Sequence, residues 1–321
     1  MRLLFIAPNR IGDAVLSTCA LNYIVEQYPG IKITVAASSL VSSLFQAVPS
    51  LERIIDFNKK SWKRHWLHLW RETVGTYWDI IIDARASTIS HMILSKQSYV
   101  WSRGANPCHQ VEQFANAFKM PRTISPKIWL SEKPLNLAAK VIDNNGDTIA
   151  IAPIANWLGK QWPLENFLAV IQRLFEQTTA RCAIFCGPSE AASLEPLVSK
   201  LPQNRLIVIS HYTDLLDVAA CLQRCQLFVG NDSGLMHLSA AMGVATIGLF
   251  GPTNEVRYGP WGDGNRVVRT PESLKEIEQS PGFSFKTKTE TYMKSLSVDI
   301  VYKELMEVYL QKVSRYASLA S

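Results

Sequence analysis

The chain has 321 residues, 47% of them apolar and 19% charged, with a formal net charge of +6. That length leaves room for two domains with substantial cores, and no run approaches the ~18 consecutive apolar residues of a membrane-spanning helix. The mild positive charge favours anionic partners such as phosphates or an acidic membrane surface, and by itself gives no support for nucleic-acid binding.

The start, "MRLLFIAPNRIGD", is too short in its apolar part for a secretion signal and reads as a first strand. A cytoplasmic protein is expected. The six cysteines include no C-x-x-C pair, so buried, reduced thiols acting as small apolar side chains are expected.

In chain order, "RLLFIAP" is followed by a helix over "GDAVLSTCALNYIVEQYPG", with Val15, Leu16, Cys19, Ile24 and Val25 on one broad face. "KITVAA" reads as a strand, "SSLVSSLFQAV" as a helix, and "RIIDF", "WDIIID" and "YVWSRG" as further strands. A turn-rich break, "DNNGD", separates this series from a second one. There "TIAIAP", "CAIFCG", "RLIVIS", "LFVG" and "ATIGLFG" alternate with helices beginning near Pro163, Ser189, Asp214 and Gly234. Residues 270–297 lack periodicity, and a last helix follows from Val298, with Ile300, Val301, Leu305 and Val308 near one face. The strand–helix rhythm predicts α/β architecture with two parallel sheets. The expected boundaries are residues 1–145, 146–297 and a terminal helical segment 298–321.

In open parallel sheets, ligands sit beyond the carboxyl ends of the strands. Three polar stretches fall there. In "NRIGDAVLS", Gly12 permits a tight turn and Asp13 opens the helix, either as a cap or as a carboxylate able to take a proton from a hydroxyl group. In "PIANWLGKQWPLENF", Asn156 and Lys160 lie on a loop bracketed by Trp157 and Trp162. That lysine is either solvated or held above a helix start, where it suits a phosphate. In "GNDSGLMHL", Asp232 or Ser233 can cap the helix. Alternatively, Ser233 and the Gly234 N–H can donate to an anion, with His237 packed in the core or facing the same ligand. The G-x-G-x-x-G fingerprint, the P-loop, the G-x-S-x-G elbow, zinc-type Cys/His spacing and D-x-D are all missing from the sequence. No metal site and no cofactor are expected.

A further stretch, "NKKSWKRHWLHLWRET" (58–73), places Trp62, Trp66 and Trp70 four apart among Lys59, Lys60, Lys63, Arg64 and Arg71. The tryptophans either pack on the sheet or form a basic aromatic surface for an anionic membrane or a phosphorylated lipid.

"IGDAVLSTCAL", "KQWPLENF" and "GNDSGLMHLSAAMGVATIGLFGPT" together resemble glycosyltransferase family 9, the heptosyltransferase-like enzymes of bacterial lipopolysaccharide assembly, and "WDIIIDARA" is similar to a segment of the same family. The resemblance implies a GT-B fold: two Rossmann-like domains with parallel sheets facing across a cleft, and a final helix returning to the first domain. It implies inverting, metal-independent transfer of heptose from ADP-heptose to a lipopolysaccharide core or related anionic glycolipid acceptor, at the inner face of the cytoplasmic membrane. By position, Asp13 matches the general base, Lys160 the lysine at the donor phosphates with Asn156 assisting, and Asp232 the acid holding the donor sugar. Ser233, Gly234 and His237 would line the donor site, and Gly12 is counted with the substrate-binding residues. The chain departs from the family in reading "PIANWLG" where a Pro-Gly-Ala-type turn is usual, and in having no clear match for the ribose-binding acid. Two other readings are a nucleotide-sugar epimerase of the same architecture and a non-catalytic nucleotide-sugar-binding protein.

Overall fold

The structure is a computed structural model that describes residues 1–58, 64–102, 107–287 and 289–320, with residue 64 and residues 313–320 described by backbone alone. The chain divides into two units, Met1–Ser131 and Glu132–Ser321.

The first unit contains β1 (Arg2–Ile6), α1 (Ile11–Gln27), β2 (Lys32–Ala37), β3 (Leu51–Asp56), α2 (Arg64–Thr73), β4 (Trp78–Asp83), β5 (Ser95–Val100) and α3 (Gln110–Ala117). Its strands are parallel in the order β3-β2-β1-β4-β5. A strand covered on both faces reads as a continuous apolar run, and "LLFI" of β1 is wholly buried. The helix α1 is buried at successive positions from Ala14 to Asn22. Its contact surface is therefore wider than the single face expected. "SSLVSSLFQAV" forms only a short 3₁₀ turn, Ser42–Phe45.

The second unit begins with α4 (Glu132–Val141), β6 (Thr148–Ala152), α5 (Leu164–Gln177), β7 (Arg181–Phe185), α6 (Glu195–Val198), β8 (Leu206–Ile209) and α7 (Leu215–Gln223). It continues with β9 (Leu227–Asn231), α8 (Gly234–Ala241), β10 (Ala245–Phe250), α9 (Glu255–Tyr258), β11 (Arg266–Arg269), α10 (Leu274–Glu278) and α11 (Val298–Ala320). The sheet is parallel in the order β11-β10-β9-β6-β7-β8.

The division falls at residue 131 rather than 145, because α4 packs with α7. The last helix, α11, groups with the second unit, where Val301, Leu305, Val308 and Tyr309 enter the core. Ile300 is 49% exposed and does not share the buried face assigned to it. The Tyr309 hydroxyl donates to Asp147 Oδ2 at 2.8 Å, fixing the helix near the start of β6.

Both sheets reverse their strand order beside the first strand of the unit: at β1/β4 in the first and at β6/β9 in the second. Chain leaving two adjacent strands in opposite directions opens a crevice at their carboxyl ends, where ligands bind in this architecture.

Candidate active site

The second-unit crevice is built by the loops after β6 and β9. Gly230 pairs with Ala152 across these strands. A Cβ at Gly230 would lie 2.8 Å from the Ala152 carbonyl oxygen, so only glycine allows this spacing. The next residue, Asn231, is fully buried. Its Oδ1 accepts from the Trp162 backbone N–H at 2.9 Å, and its Nδ2 donates to the Pro153 carbonyl at 2.7 Å. One amide thus ties both loops together. The Trp162 indole N–H donates to the Leu296 carbonyl, and its ring packs edge-on against Phe167. The residues that follow Asn231 are therefore held against a rigid support.

Asp232 comes next and is buried. Lys160 Nζ lies 3.4 Å from Asp232 Oδ2, and the two side chains are 14% and 9% exposed. His237 Nε2 lies 3.9 Å from Asp232 Oδ1. A buried ion pair loses much of its Coulomb gain to desolvation, so its presence is weak evidence for stability. It does fix an ammonium group at the carboxyl edge of the sheet. Ser233 occupies the N-cap position of α8 but makes no side-chain cap bond. Its Oγ is buried and has no hydrogen-bond partner among the described residues. The capping role open to Asp232 and Ser233 in the sequence is filled by neither. The first turn of α8, starting at Gly234, keeps its partial positive charge at this edge.

The Lys160 loop has its own support. Gly159 lies under the Trp157 indole, where a Cβ would come within 2.4 Å of the ring. Trp157 sits among Phe283, Phe285 and Tyr292, with centroids 5.5–6.3 Å away. The Tyr292 N–H donates to the Gly159 carbonyl at 2.9 Å, and the Thr291 hydroxyl donates to the Gln161 carbonyl. Phe283, Phe285, Thr291 and Tyr292, from a part of the chain without clear periodicity, thus clamp the lysine loop. Asn156, on the same loop, is exposed.

Thr253, which follows β10, has a buried Oγ1 with no partner among the described residues. The sequence signal for it was "FGPT", directly after a strand. Ser233, Thr253, Lys160 and the α8 start thus bring hydroxyls, an ammonium group and backbone N–H groups to the ends of neighbouring strands, a donor set suited to a diphosphate. Asp214 caps α7, its Oδ1 accepting from the Leu216 N–H at 2.8 Å. Burial, and after it the charge of Asp214, raises the pKa of Asp217, with Lys133 opposing.

In the first unit, Gly12 and Asp13 lie in the opening turn of α1, whose N-cap is Arg10. Asp13 is therefore inside the helix rather than its cap. Both residues are half-buried at the β1 end of the first crevice. Of the tryptophan-rich stretch, residues 59–63 lie outside the described residues. Trp66 and Trp70 pack against the first-unit core, with Trp66 edge-on to Phe57 at 4.6 Å. Those two rings therefore serve the core reading. Among the described residues, no group of three His, Cys, Asp or Glu side chains could hold a metal ion, and no helix is long and apolar enough to cross a membrane.

The family model "Glycosyltransferase family 9 (heptosyltransferase)" matches residues 108–287. The lipooligosaccharide heptosyltransferase 2 of Campylobacter jejuni subsp. jejuni serotype O:6 is 24% identical over 278 residues, covering 83% of this chain and 86% of that protein. A family 9 glycosyl transferase from Veillonella parvula superposes with a TM-score of 0.80 at 20% identity, over 97% of each chain. The Escherichia coli heptosyltransferase WaaC solved with ADP superposes with a TM-score of 0.73 at 19% identity, over 96% of this chain and all of the other. The expected fold class, two parallel α/β units as in these glycosyltransferases, agrees with the structure.

Proposed function

We propose that this chain, which belongs to glycosyltransferase family 9, moves heptose from ADP-heptose to the core of a lipopolysaccharide or a related anionic glycolipid, with inversion at the anomeric carbon and without a metal ion. The observation that carries this reading is the Lys160–Asp232 pair at the β6/β9 switch point, beside the uncapped start of α8 and the unpartnered Ser233 hydroxyl.

The donor's diphosphate binds at this second-unit edge. Lys160 and the α8 N–H groups hold its charge, and Ser233 donates to a phosphate oxygen. Asp232 and His237 take the sugar hydroxyls, with Asn156 assisting at the loop. The acceptor lies on the first-unit crevice. Asp13 removes the proton from the attacking hydroxyl as the new bond forms on the face opposite the departing nucleotide. The charge growing on the diphosphate is stabilised by groups already in position, so little reorganisation is needed. Lys160 and the helix start supply positive charge where a metal ion would otherwise be required. The enzyme works at the inner face of the cytoplasmic membrane, with the basic stretch 58–73 meeting the anionic surface.

A thermal-shift panel of ADP, UDP, GDP and their sugars tests the donor. Stabilisation by ADP and ADP-heptose, lost in Lys160→Ala, is expected. Preference for UDP or GDP would reject the ADP assignment. Incubation of ADP-heptose with heptose-deficient core glycolipid in excess EDTA tests the chemistry. Transfer should persist, and sugar conversion without acceptor would point to an epimerase instead.

A further inference from the structure

We propose that the carboxyl edge of the first-unit sheet recognises an oxyanion through Arg85, and that this contact selects acceptors bearing a carboxylate or phosphate group. The inference rests on the transferase reading above and adds the residue that reads the acceptor's charge.

The backbone around Arg85 is built with care. Asp83, the last residue of β4, is fully buried. Its carboxylate accepts from the Arg85 N–H at 2.9 Å, from the Ser87 N–H at 2.8 Å, and from the Ser87 hydroxyl. Ala86, enclosed by these bonds, has φ +59°, a left-handed conformation that is strained for a non-glycine residue. Three hydrogen bonds converging on one carboxylate hold that strain, and the bend fixes where the Arg85 side chain begins.

The side chain is equally constrained. Its guanidinium carbon lies 4.7 Å from the Phe57 ring centroid and 5.2 Å from that of Trp66. Nη1 donates to Asn9 Oδ1 at 2.9 Å. Burial lowers the guanidinium pKa, and Asp83 opposes the shift. Arginine nevertheless stays charged in proteins, and its planar fork matches a carboxylate or phosphate in a bidentate contact. Ordering so long a side chain costs rotamer entropy, which a freely solvated arginine avoids.

Two further donors lie at the same edge. Ser38 follows β2 and Trp101 follows β5. Ser38 Oγ and Trp101 Nε1 are buried without hydrogen-bond partners among the described residues. An unsatisfied buried donor is costly, and an oxygen-rich ligand would relieve that cost. The Trp101 backbone N–H donates to the Asp83 carbonyl at 2.8 Å, so the β5 end is tied to the Arg85 bend. Asn9, which orients Arg85, lies on the loop leading into Gly12 and Asp13. The charged contact is thereby placed on the crevice that carries the proposed base.

The test is co-sedimentation of the full chain with core glycolipid extracted from heptose-deficient bacteria, used native, after phosphatase treatment, and after methyl esterification of its carboxylates. Arg85→Gln should weaken binding to the native glycolipid at least tenfold. Arg85→Lys, which keeps the charge but loses the fork, should fall in between. The gap between variant and wild type should close on the treated glycolipid that has lost the recognised group, which separates phosphate from carboxylate as the source. Equal binding by wild type and Arg85→Gln would overturn the proposal, as would a wild type that binds native and doubly treated glycolipid alike or binds neither. If Arg85→Gln melts several degrees lower, the comparison is made on Arg85→Lys, and equality with wild type is again decisive. Failure of the transferase reading shows separately, as a wild type that ADP does not stabilise.

Discussion

Two side chains divide the proposed chemistry. Asp13 sits in the first turn of α1, at the carboxyl edge of the first sheet, where the proposed acceptor hydroxyl would lie. General-base catalysis contributes ~10²–10⁴-fold, so Asp13→Asn should lower kcat by about that factor in a transfer assay. ADP stabilisation should be unchanged, because donor contacts are assigned to the other sheet. Wild-type turnover in that variant would remove Asp13 from the mechanism. Lys160 carries a different load. Its ammonium group is held by buried Asp232 before any ligand arrives. Lys160→Ala therefore removes positive charge and leaves the carboxylate beside the incoming phosphates. Loss of one such preorganised group costs ~10²–10³ in kcat, and here the ADP-induced rise in melting temperature should vanish as well. A kcat loss with intact ADP binding would place Lys160 away from the diphosphate.

Between residue and unit stands the loop, and the second-unit site depends on loops that are over-determined. The switch-point position of Lys160, Asp232 and Ser233 was legible, because each follows an apolar strand run and precedes a helix. The clamp on the lysine loop was not. Trp157, Phe283, Phe285 and Tyr292 come from stretches far apart in the chain, and 270–297 carries no period to reveal that it folds back. The role of Asn231 was hidden for a similar reason: its two partners, Trp162 and Pro153, lie 69 and 78 residues earlier. Likewise, nothing local in "WDIIIDARA" tells that Asp83 accepts from residues 85 and 87 around a bend at Ala86. The clamp makes a prediction at its own scale. Gly159→Ala would drive a methyl group to 2.4 Å from the Trp157 ring, so the indole or the loop must move. Overpacking of this kind costs about 1–3 kcal/mol. Melting temperature should fall, and ADP affinity should fall further than in a control such as Gly146→Ala, whose surroundings are open. The control is itself strained by φ +96°. Equal ADP affinity in the two variants would mean that the clamp does not position Lys160.

At the scale of the whole molecule, the two-sheet plan was readable from alternation alone, while the boundary was displaced by α4, whose helical period is silent about which sheet it covers. The cysteines were read as small apolar side chains, and burial makes that reading quantitative. Burial pushes Cys19 and Cys182 up to about 12, Cys186 to about 11 and Cys221 to about 12, and it raises Cys225 as well. These thiols stay protonated in the folded chain at pH values where the unfolded chain ionises them. The stabilisation is therefore fully present below the unfolded value of about 9 and is lost as pH rises from there through the folded values. One pH unit above the unfolded pKa, each thiol withdraws about 1.4 kcal/mol from the folding equilibrium. Four of the five lie in the second unit and one in the first, so the second unit should fail first in alkali. Melting temperature should accordingly drop between pH 8 and pH 10, and the drop should shrink in a Cys182→Ala/Cys221→Ala double variant even though cavities lower its stability at every pH. Iodoacetamide at pH 8 should label Cys108, which is only half-buried, well before the other five. A double variant that keeps the full alkaline drop would show that groups other than these thiols set the limit.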